Sequence, residues 1–210
     1  MGLEELLADV KILMDRDVRI IIQNRIKEFE ELGMKGIEEI FKELCFCILT
    51  AGYSAEGSIN IQKEIDDGFL NLSEEELSKK LKELGHRFPE ARAKYIVRAR
   101  EKLNLLSSIL SASTDDRYVR ELLVKNIDGL GYKEASHFLR NIGRLNVAII
   151  DYHILDLLDR YRVFSKPKTL TRKRYLEIER ALENISERLG IKLGELDLYL
   201  WYLETGKILK

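Results

Sequence analysis

The chain has 210 residues, of which 45% are hydrophobic and 34% are charged, and this length is enough for one domain or two small ones with a substantial core. Two Pro and thirteen Gly are too few for a disordered chain, and no apolar run reaches the roughly 18 residues of a membrane span. The acidic, amphipathic N-terminal segment is not typical of a secretory signal. We therefore expect a globular, cytoplasmic protein with no membrane partner.

Charge is distributed unevenly along the chain, although the net charge is only −1. Basic residues concentrate at positions 86–102 and 166–174, whereas acidic residues dominate the first forty positions and the 73–76 turn. Each basic run alone is typical of a solvated surface. Two such runs in a polarised chain also fit a partner that is a polyanion.

Helical periodicity extends through the whole sequence, and no segment shows sustained period-two alternation. The spacing of apolar residues predicts about ten helices, at residues 3–14, 18–32, 37–51, 74–85, 91–110, 116–127, 132–143, 152–161, 172–190 and 194–208. The predicted fold class is therefore all-α, in a single unit over residues 1–210. The helices after Pro167 are free to pack beside the N-terminal ones.

Local chemistry predicts several helix ends and the state of the two cysteines. Ser73 followed by Glu76 indicates a capping box, and acidic residues at 115–116 favour the start of another helix. Glycines at positions 33, 85, 143 and 190 follow periodic segments, where a left-handed stop is expected. Cys45 and Cys47 lie two apart in an apolar run, so we expect buried free thiols rather than a disulfide or a metal site.

The most specific pattern is the segment 125–144, which reads KNIDGLGYKEASHFLRNIGR. Two helices are joined there by Gly129-Leu130-Gly131, where glycine permits a tight turn and a close approach to a neighbour. The free amides that open the second helix suit a phosphate group and do not read base sequence. A plain turn between two helices is the alternative for this pattern alone.

Lys133 and Asp151 are the candidate chemical groups beside that hairpin. A lysine in the first turn of a helix opposes the helix dipole, so stability does not explain Lys133. Asp151 follows an apolar run and precedes a helix, where it is suited to N-capping and is equally available for catalysis.

These motifs resemble those of the helix-hairpin-helix DNA glycosylases, which share a G-x-G hairpin, a lysine shortly after it and an aspartate in a V-D-x-H-like stretch, here IIDYH. Within that superfamily the chain looks most like the type 2 family of archaeal and bacterial 8-oxoguanine DNA glycosylase/AP lyases. The resemblance covers nearly the whole chain. It includes the segments 41–65 and 85–101 and the ending LDLYLWYLETGKILK.

The resemblance implies two closely packed helical subdomains with the active site between them, and a monomer that acts on double-stranded DNA containing 8-oxoguanine. It implies that Lys133 attacks the sugar to form a Schiff base and that the Asp151 carboxylate stabilises positive charge on the sugar. The amine must be neutral to attack, through desolvation, a basic neighbour or proton transfer to Asp151. No cofactor or metal is expected. The four C-terminal cysteines that hold an iron–sulfur cluster in some relatives have no counterpart here.

Further roles are carried over from the family residue by residue. Phe88 and Trp201 are candidates to stack on an extruded base, although either is also suited to a core. Lys210, in an ending GKILK that matches the family letter for letter, is expected to help to distinguish 8-oxoguanine from guanine; a frayed tail is the alternative. Many relatives place an amide residue where Gly52-Tyr53-Ser54 stands, so Tyr53 is the candidate wedge that fills the gap in the DNA.

The DNA backbone is expected to contact the hairpin glycines and the basic side chains Arg92, Lys94 and Arg98. The three histidines, at positions 86, 137 and 153, are expected to be structural rather than acid–base groups. Two alternatives remain open from the sequence: a glycosylase for another oxidised base, and a non-catalytic module that binds DNA backbone. A pure binding module has no need of Lys133 and Asp151 together.

Overall fold

The structure is a computed structural model that describes residues 2–210. Within that range the chain is all-helical, without a strand, and confirms the predicted fold class. The helices are α1 (Leu3–Met14), α2 (Val18–Gly33), α3 (Ile37–Leu49), α4 (Ala55–Ile65), α5 (Gly68–Asn71), α6 (Glu74–Glu83), α7 (Pro89–Arg100), α8 (Leu103–Ser111), α9 (Asp116–Asn126), α10 (Tyr132–Asn141), α11 (Tyr152–Arg160), α12 (Arg172–Leu189) and α13 (Leu193–Thr205).

Thirteen helices in residues 2–210 exceed the ten predicted from periodicity by three: α4, the four-residue α5, and the division of one predicted helix into α7 and α8. Gly57 and Asn60 interrupt the apolar pattern of α4, which nevertheless begins with Ser54, whose hydroxyl accepts a hydrogen bond from the Gly57 amide at 3.1 Å. The predicted helix 91–110 is two helices, because the backbone leaves helical geometry at Lys102 (φ −104°, ψ 20°). The Lys102 ammonium there donates to the carbonyl of Asn126 at 2.7 Å.

The predicted helix ends are confirmed with one exception. Ser73 and Glu76 form the capping box, and Asp115 caps α9. Left-handed glycines follow the helices at positions 85, 143 and 190. The prediction for Gly33 is wrong, because Gly33 is the last residue of α2; a Cβ there would lie 2.2 Å from the carbonyl oxygen of Ile142.

The helices enclose two hydrophobic cores. The first core is built from the middle of the chain, α3 to α10, and the fully buried free thiols of Cys45 and Cys47 lie in it. The second core joins α1 and α2 to α11, α12 and α13. The N-terminal helices therefore pack beside the C-terminal ones. In the first core, burial raises the pKa of the Cys45 and Cys47 thiols well above its usual value.

A buried ion pair connects the two cores. Arg120 on α9 and Glu179 on α12 are 0% and 2% exposed, and two guanidinium nitrogens donate to the carboxylate at 2.5 and 2.7 Å. One carboxylate oxygen also accepts the Ala148 amide at 2.9 Å, on the segment that leads to α11. This pair holds α9 of the first core against α12 of the second.

Candidate active site

An open cleft of about 1020 Å³ lies between the two cores. Thr50, Lys133 and His137 line the wall that belongs to the first core, and Asp151 and Trp201 line the wall that belongs to the second. The sequence-predicted lysine and aspartate therefore reach one cavity from different cores. Within residues 2–210, no group of three or more His, Cys, Asp or Glu side chains is placed to hold a metal ion.

Lys133 lies in the first turn of α10, and its ammonium group faces the cleft. The side chain is 22% exposed, and Nζ donates to the hydroxyl of Thr50 at 3.1 Å. The Thr50 hydroxyl in turn donates to the carbonyl of Cys47 at 2.8 Å, which directs a lone pair of its oxygen toward Nζ. The carboxylate of Glu134 lies 3.8 Å from the amine. Thr50 thus holds the amine at the cleft wall.

Asp151 caps α11 and faces the same cleft. It follows Ala148, Ile149 and Ile150, which are buried and fix the approach of the chain. Its Oδ1 accepts the Ile154 amide at 2.9 Å, so the carboxylate both caps the helix and borders the cavity. The two sequence readings of Asp151 are therefore compatible. Asp151 and Lys133 share the cleft without forming an ion pair.

The hairpin before α10 has the geometry that its glycines suggest. Gly129 has φ +85°, and a Cβ there would lie 2.6 Å from the ring of Tyr95. Leu130 is 6% exposed and anchors the turn in the first core. Gly131 is the N-cap of α10, and its amide donates to the Glu134 carboxylate at 3.2 Å. Any phosphate at this turn therefore has to approach past Glu134.

The Lys210 side chain lines the cleft and is held there by several contacts. Its ammonium donates to Glu43 at 2.8 Å and to the side-chain oxygen of Gln62, and it lies 4.5 Å from the centre of the Phe46 ring. Glu43 is 3% exposed and also accepts a hydrogen bond from Asn141 at 2.6 Å. The last side chain of the sequence is an anchored part of the cleft, so the frayed-tail alternative is wrong for this structure.

The aromatic candidates lie at different places around the cavity. Trp201 lines the cleft, with the His153 ring edge-on at 4.8 Å. Phe88 is 41% exposed and packs against Gly52 at the rim, because a Cβ on Gly52 would meet its ring at 3.2 Å. Tyr53 lines the cleft, but its ring is packed on His86 at 4.5 Å. Trp201 lines the cleft in this structure, whereas Phe88 is not among the residues that line it.

The side chains predicted to bind the DNA backbone differ in their exposure and in their partners within the protein. Arg92 donates to the carbonyl of Ala51 and is half-buried, and Arg98 pairs with Asp128 at 3.2 Å. Lys94 is exposed, and no residue in the described part of the chain forms an ion pair with it. Lys94 is thus the basic side chain of this helix that is most available to a phosphate.

His86 and His137 are both buried. His86 accepts the Phe88 amide at 3.1 Å through Nδ1, and its Nε2 lies 3.0 Å from the carbonyl oxygen of Leu49. It therefore positions the turn that holds Phe88, as the structural reading predicts. The His137 ring has no hydrogen-bond partner of good geometry among the side chains, and it interacts with the backbone of Lys210.

Sequence reasoning missed the polar pair Arg140 and Asp197 in the cleft. Arg140 Nη1 donates to Asp197 at 3.1 Å, and both side chains line the cavity. Burial raises the pKa of Asp197 to about 7, with the nearby Asp151 adding to the shift and Arg140 opposing it. Asp197 lies four residues before Trp201, on the same face of α13, and this spacing was the available signal.

An all-helical fold with a G-x-G hairpin, a lysine in the following helix turn and an aspartate across an inter-core cleft defines the class of helix-hairpin-helix DNA glycosylases. Residues 22–191 match the family model described as 8-oxoguanine DNA glycosylase. The chain belongs to that family.

Relatives match over essentially their full length. An 8-oxoguanine DNA glycosylase/AP lyase of Korarchaeum cryptofilum is 59% identical over 100% of both chains. The crystal structure of the Methanocaldococcus jannaschii glycosylase/lyase in complex with a 15mer DNA containing 8-oxoguanine has a TM-score of 0.94 at 54% identity, covering 98% of this chain and 100% of that one. The Thermotoga maritima 8-oxoguanine DNA glycosylase has a TM-score of 0.92 at 44% identity, with 100% of each chain covered.

Proposed function

We propose that this protein removes 8-oxoguanine from double-stranded DNA and then nicks the strand at the resulting site. The observation that carries the proposal is the placement of the Lys133 amine and the Asp151 carboxylate in one cleft that is large enough for a nucleobase and its sugar. Family membership and the relatives described above support the choice of base and the pair of reactions. The absence of a cofactor requirement is part of the proposal, since the amine itself supplies the nucleophile.

In the proposed first step the neutral Lys133 amine attacks C1′ of the damaged nucleotide as the bond from C1′ to the base breaks. The base leaves with the bonding electron pair and takes up a proton. Positive charge on the sugar is stabilised by the Asp151 carboxylate, which the capped helix start holds in place. Glu134, 3.8 Å from Nζ, joins Asp151 as an acceptor for the proton that the lysine loses.

In the second step the sugar ring opens to a Schiff base between C1′ and Nζ. The imine acidifies the C2′ proton, and its removal expels the 3′ phosphate by β-elimination, which breaks the C3′–O bond. Water then hydrolyses the imine and returns the free lysine. Thr50 supports both steps, because its hydroxyl accepts a hydrogen bond from Nζ and keeps the amine on the cleft wall.

DNA backbone recognition is proposed for the hairpin and for the exposed lysine beside it. The amides of the first turn of α10, after Gly129 and Gly131, have no acceptors within the helix and suit a phosphate. Lys94 adds a counter-charge. A plain turn between two helices is the alternative, but it does not explain why a lysine that faces the cleft lies two residues after Gly131.

Base recognition is proposed for the group around Trp201 and Lys210. Trp201 offers a flat surface inside the cleft. Phe88 would have to move from its rim position beside Gly52 to complete a stack. Tyr53 is packed on His86, so its proposed wedge role also requires a change of conformation when DNA binds.

Borohydride trapping on a defined duplex tests the reaction and its nucleophile together. A duplex with one 8-oxoguanine should be cleaved and should form a covalent adduct in the presence of borohydride, whereas the unmodified duplex should do neither. Lys133→Gln should abolish both signals. The matched control is Lys168→Gln, which removes an exposed lysine from the same cleft and should keep both.

The outcomes separate the proposal from its alternatives. Binding without cleavage by the unaltered protein would leave a non-catalytic DNA-binding module. Cleavage of a different oxidised base at a higher rate than 8-oxoguanine would identify a related glycosylase. Trapping by Lys133→Gln would exclude Lys133 as the nucleophile.

A further inference from the structure

The Glu134 carboxylate lies between the hairpin and the candidate nucleophile. Its Oε2 accepts the Gly131 amide at 3.2 Å, and its Oε1 lies 3.8 Å from Nζ of Lys133. The side chain is 15% exposed and lines the cleft. One carboxylate therefore contacts both the turn that is proposed to meet a DNA phosphate and the amine that is proposed to attack the sugar.

A DNA phosphate at the hairpin competes with Glu134. The amides of the first turn of α10 have no acceptor within the helix and lie beside the Gly131 amide. A Cβ added to Gly131 would meet Oε2 of Glu134 at 2.9 Å and, apart from the two chain neighbours, no other atom of the described chain within 4 Å. This side of the turn is therefore open except for the carboxylate. Two negative charges at one N–H donor repel each other, so a phosphate that binds there displaces the carboxylate.

The displaced carboxylate remains next to Lys133. The Lys133 ammonium is the ion-pair partner of Glu134, and the same nitrogen donates to the Thr50 hydroxyl at 3.1 Å. Rotation about the side-chain bonds of Glu134 can shorten the 3.8 Å separation to hydrogen-bond distance once the Gly131 amide is no longer its partner. The amine is then held between the Thr50 hydroxyl and a carboxylate that can take its proton.

We propose that Glu134 couples DNA binding at the hairpin to the activation of Lys133. The inference rests on the proposed function, in which Glu134 is an acceptor for the proton of the lysine, and it adds that a DNA phosphate makes the carboxylate available for this role. One proton passes from Nζ to the carboxylate, and Nζ keeps the electron pair that forms the bond to C1′. The carboxyl group then gives the proton to the departing base, directly or through water.

This coupling predicts opposite effects of Glu134→Gln on binding and on chemistry. The glutamine side-chain oxygen can still accept the Gly131 amide, so α10 keeps its cap, but the side chain is neutral. A phosphate displaces it more easily, and the dissociation constant for DNA should fall about fivefold. The glutamine cannot take up a proton from the lysine, so base release should be at least about tenfold slower.

Binding and chemistry are measured separately. Fluorescence anisotropy with an unmodified duplex gives the dissociation constant. Single-turnover rates with saturating protein are measured on a duplex that contains 8-oxoguanine and on one with a preformed abasic site, where the Lys133 amine is also the nucleophile. Asp128→Asn is the matched control, because it removes a carboxylate of the same hairpin that is 42% exposed and pairs with Arg98. It should tighten binding by at most about twofold and leave both rates unchanged.

Tighter binding together with slower chemistry, at an unchanged melting temperature, supports the coupling. Weaker or unchanged DNA binding by Glu134→Gln would overturn it, as would unchanged rates or an equal gain in binding by Asp128→Asn. If the unaltered protein cleaved the abasic duplex but released no 8-oxoguanine, only the proposed substrate would fail, because abasic-site cleavage also reports the coupling. If the unaltered protein cleaved neither duplex, the proposed function and the coupling would fail together.

Discussion

Removal of one partner from the buried pair Arg120 and Glu179 should destabilise the fold severely. Both side chains are almost completely buried, and they join α9 of the first core to α12 of the second. Arg120→Met leaves a buried carboxylate, and Glu179→Leu leaves a buried guanidinium. Loss of one member of such a pair costs about 3–5 kcal/mol, because the remaining charge is uncompensated.

The structure also predicts which variant suffers more. Glu179 accepts the Ala148 amide at 2.9 Å, so Glu179→Leu additionally leaves a buried backbone donor unsatisfied, at a cost of about 1–3 kcal/mol. After Arg120→Met, Glu179 keeps that amide, and Arg117 lies 3.7 Å away. We expect Glu179→Leu to be the less stable variant. For a chain of this length, a loss of about 3–5 kcal/mol lowers the melting temperature by roughly 6–20 °C.

Guanidinium chloride unfolding followed by far-UV circular dichroism measures these differences through the midpoint and the slope. The double variant Arg120→Met/Glu179→Leu should be more stable than the sum of the single losses predicts, because it leaves no unpaired charge. Glu177→Gln is the matched control, since it removes an exposed ion pair on the same helix and should cost at most about 1 kcal/mol. The reasoning would be refuted if either single variant lost less than about 1 kcal/mol of unfolding free energy. It would also be refuted if the loss in the double variant equalled the sum of the two single losses.

Three further predictions follow from the site. Between about pH 4 and 7 the folded chain keeps the proton of Asp197 and the unfolded chain loses it, so the contribution of this carboxyl to stability falls as pH rises. Asp197→Asn should remove up to about 1.4 kcal/mol per pH unit of that slope in denaturant unfolding; an unchanged slope would contradict the raised pKa. Gly129→Ala should destabilise the fold and weaken DNA binding, since its φ is positive and the Tyr95 ring blocks a Cβ, whereas a Cβ at Gly131 meets only the flexible end of Glu134. Equal melting temperatures for the two alanine variants would argue against this contrast. Lys94→Ala should weaken binding to any duplex and reduce the salt slope of the binding constant by about one, and fluorescence anisotropy at several salt concentrations would reveal a slope that does not change.

The helices could be predicted from the sequence because their signals are local. Apolar spacing and the Ser73 capping box lie within a few residues of the structure that they specify. The signal failed where packing between distant segments decides the outcome. Gly33 is helical where α2 packs closely against the carbonyl oxygen of Ile142. Helix α4 forms although Gly57 interrupts the spacing of its apolar residues.

The candidate site was predictable in part for the same reason. Lys133 was identified from its two-residue distance to Gly131, and Asp151 from the apolar run before it. The contacts that complete the cleft join residues far apart in sequence, such as Lys133 with Thr50 and Lys210 with Glu43. Such contacts leave no local pattern, so the sequence alone could not place Thr50 or Glu43 in the site.

The division of the second core between the two ends of the chain has a consequence for synthesis on the ribosome. The apolar faces of α1 and α2 emerge first, but Ala148 and the residues that cover them follow roughly 120 residues later, which at about 5–20 residues per second is a delay of roughly 6–24 s. The first core is contiguous over residues 40–147, so its synthesis is complete as this interval ends and before α12 and α13 are made. The nascent chain therefore contains the whole wall that carries Lys133 before it contains α12 and α13, and the cleft between the two cores forms only after those helices are made.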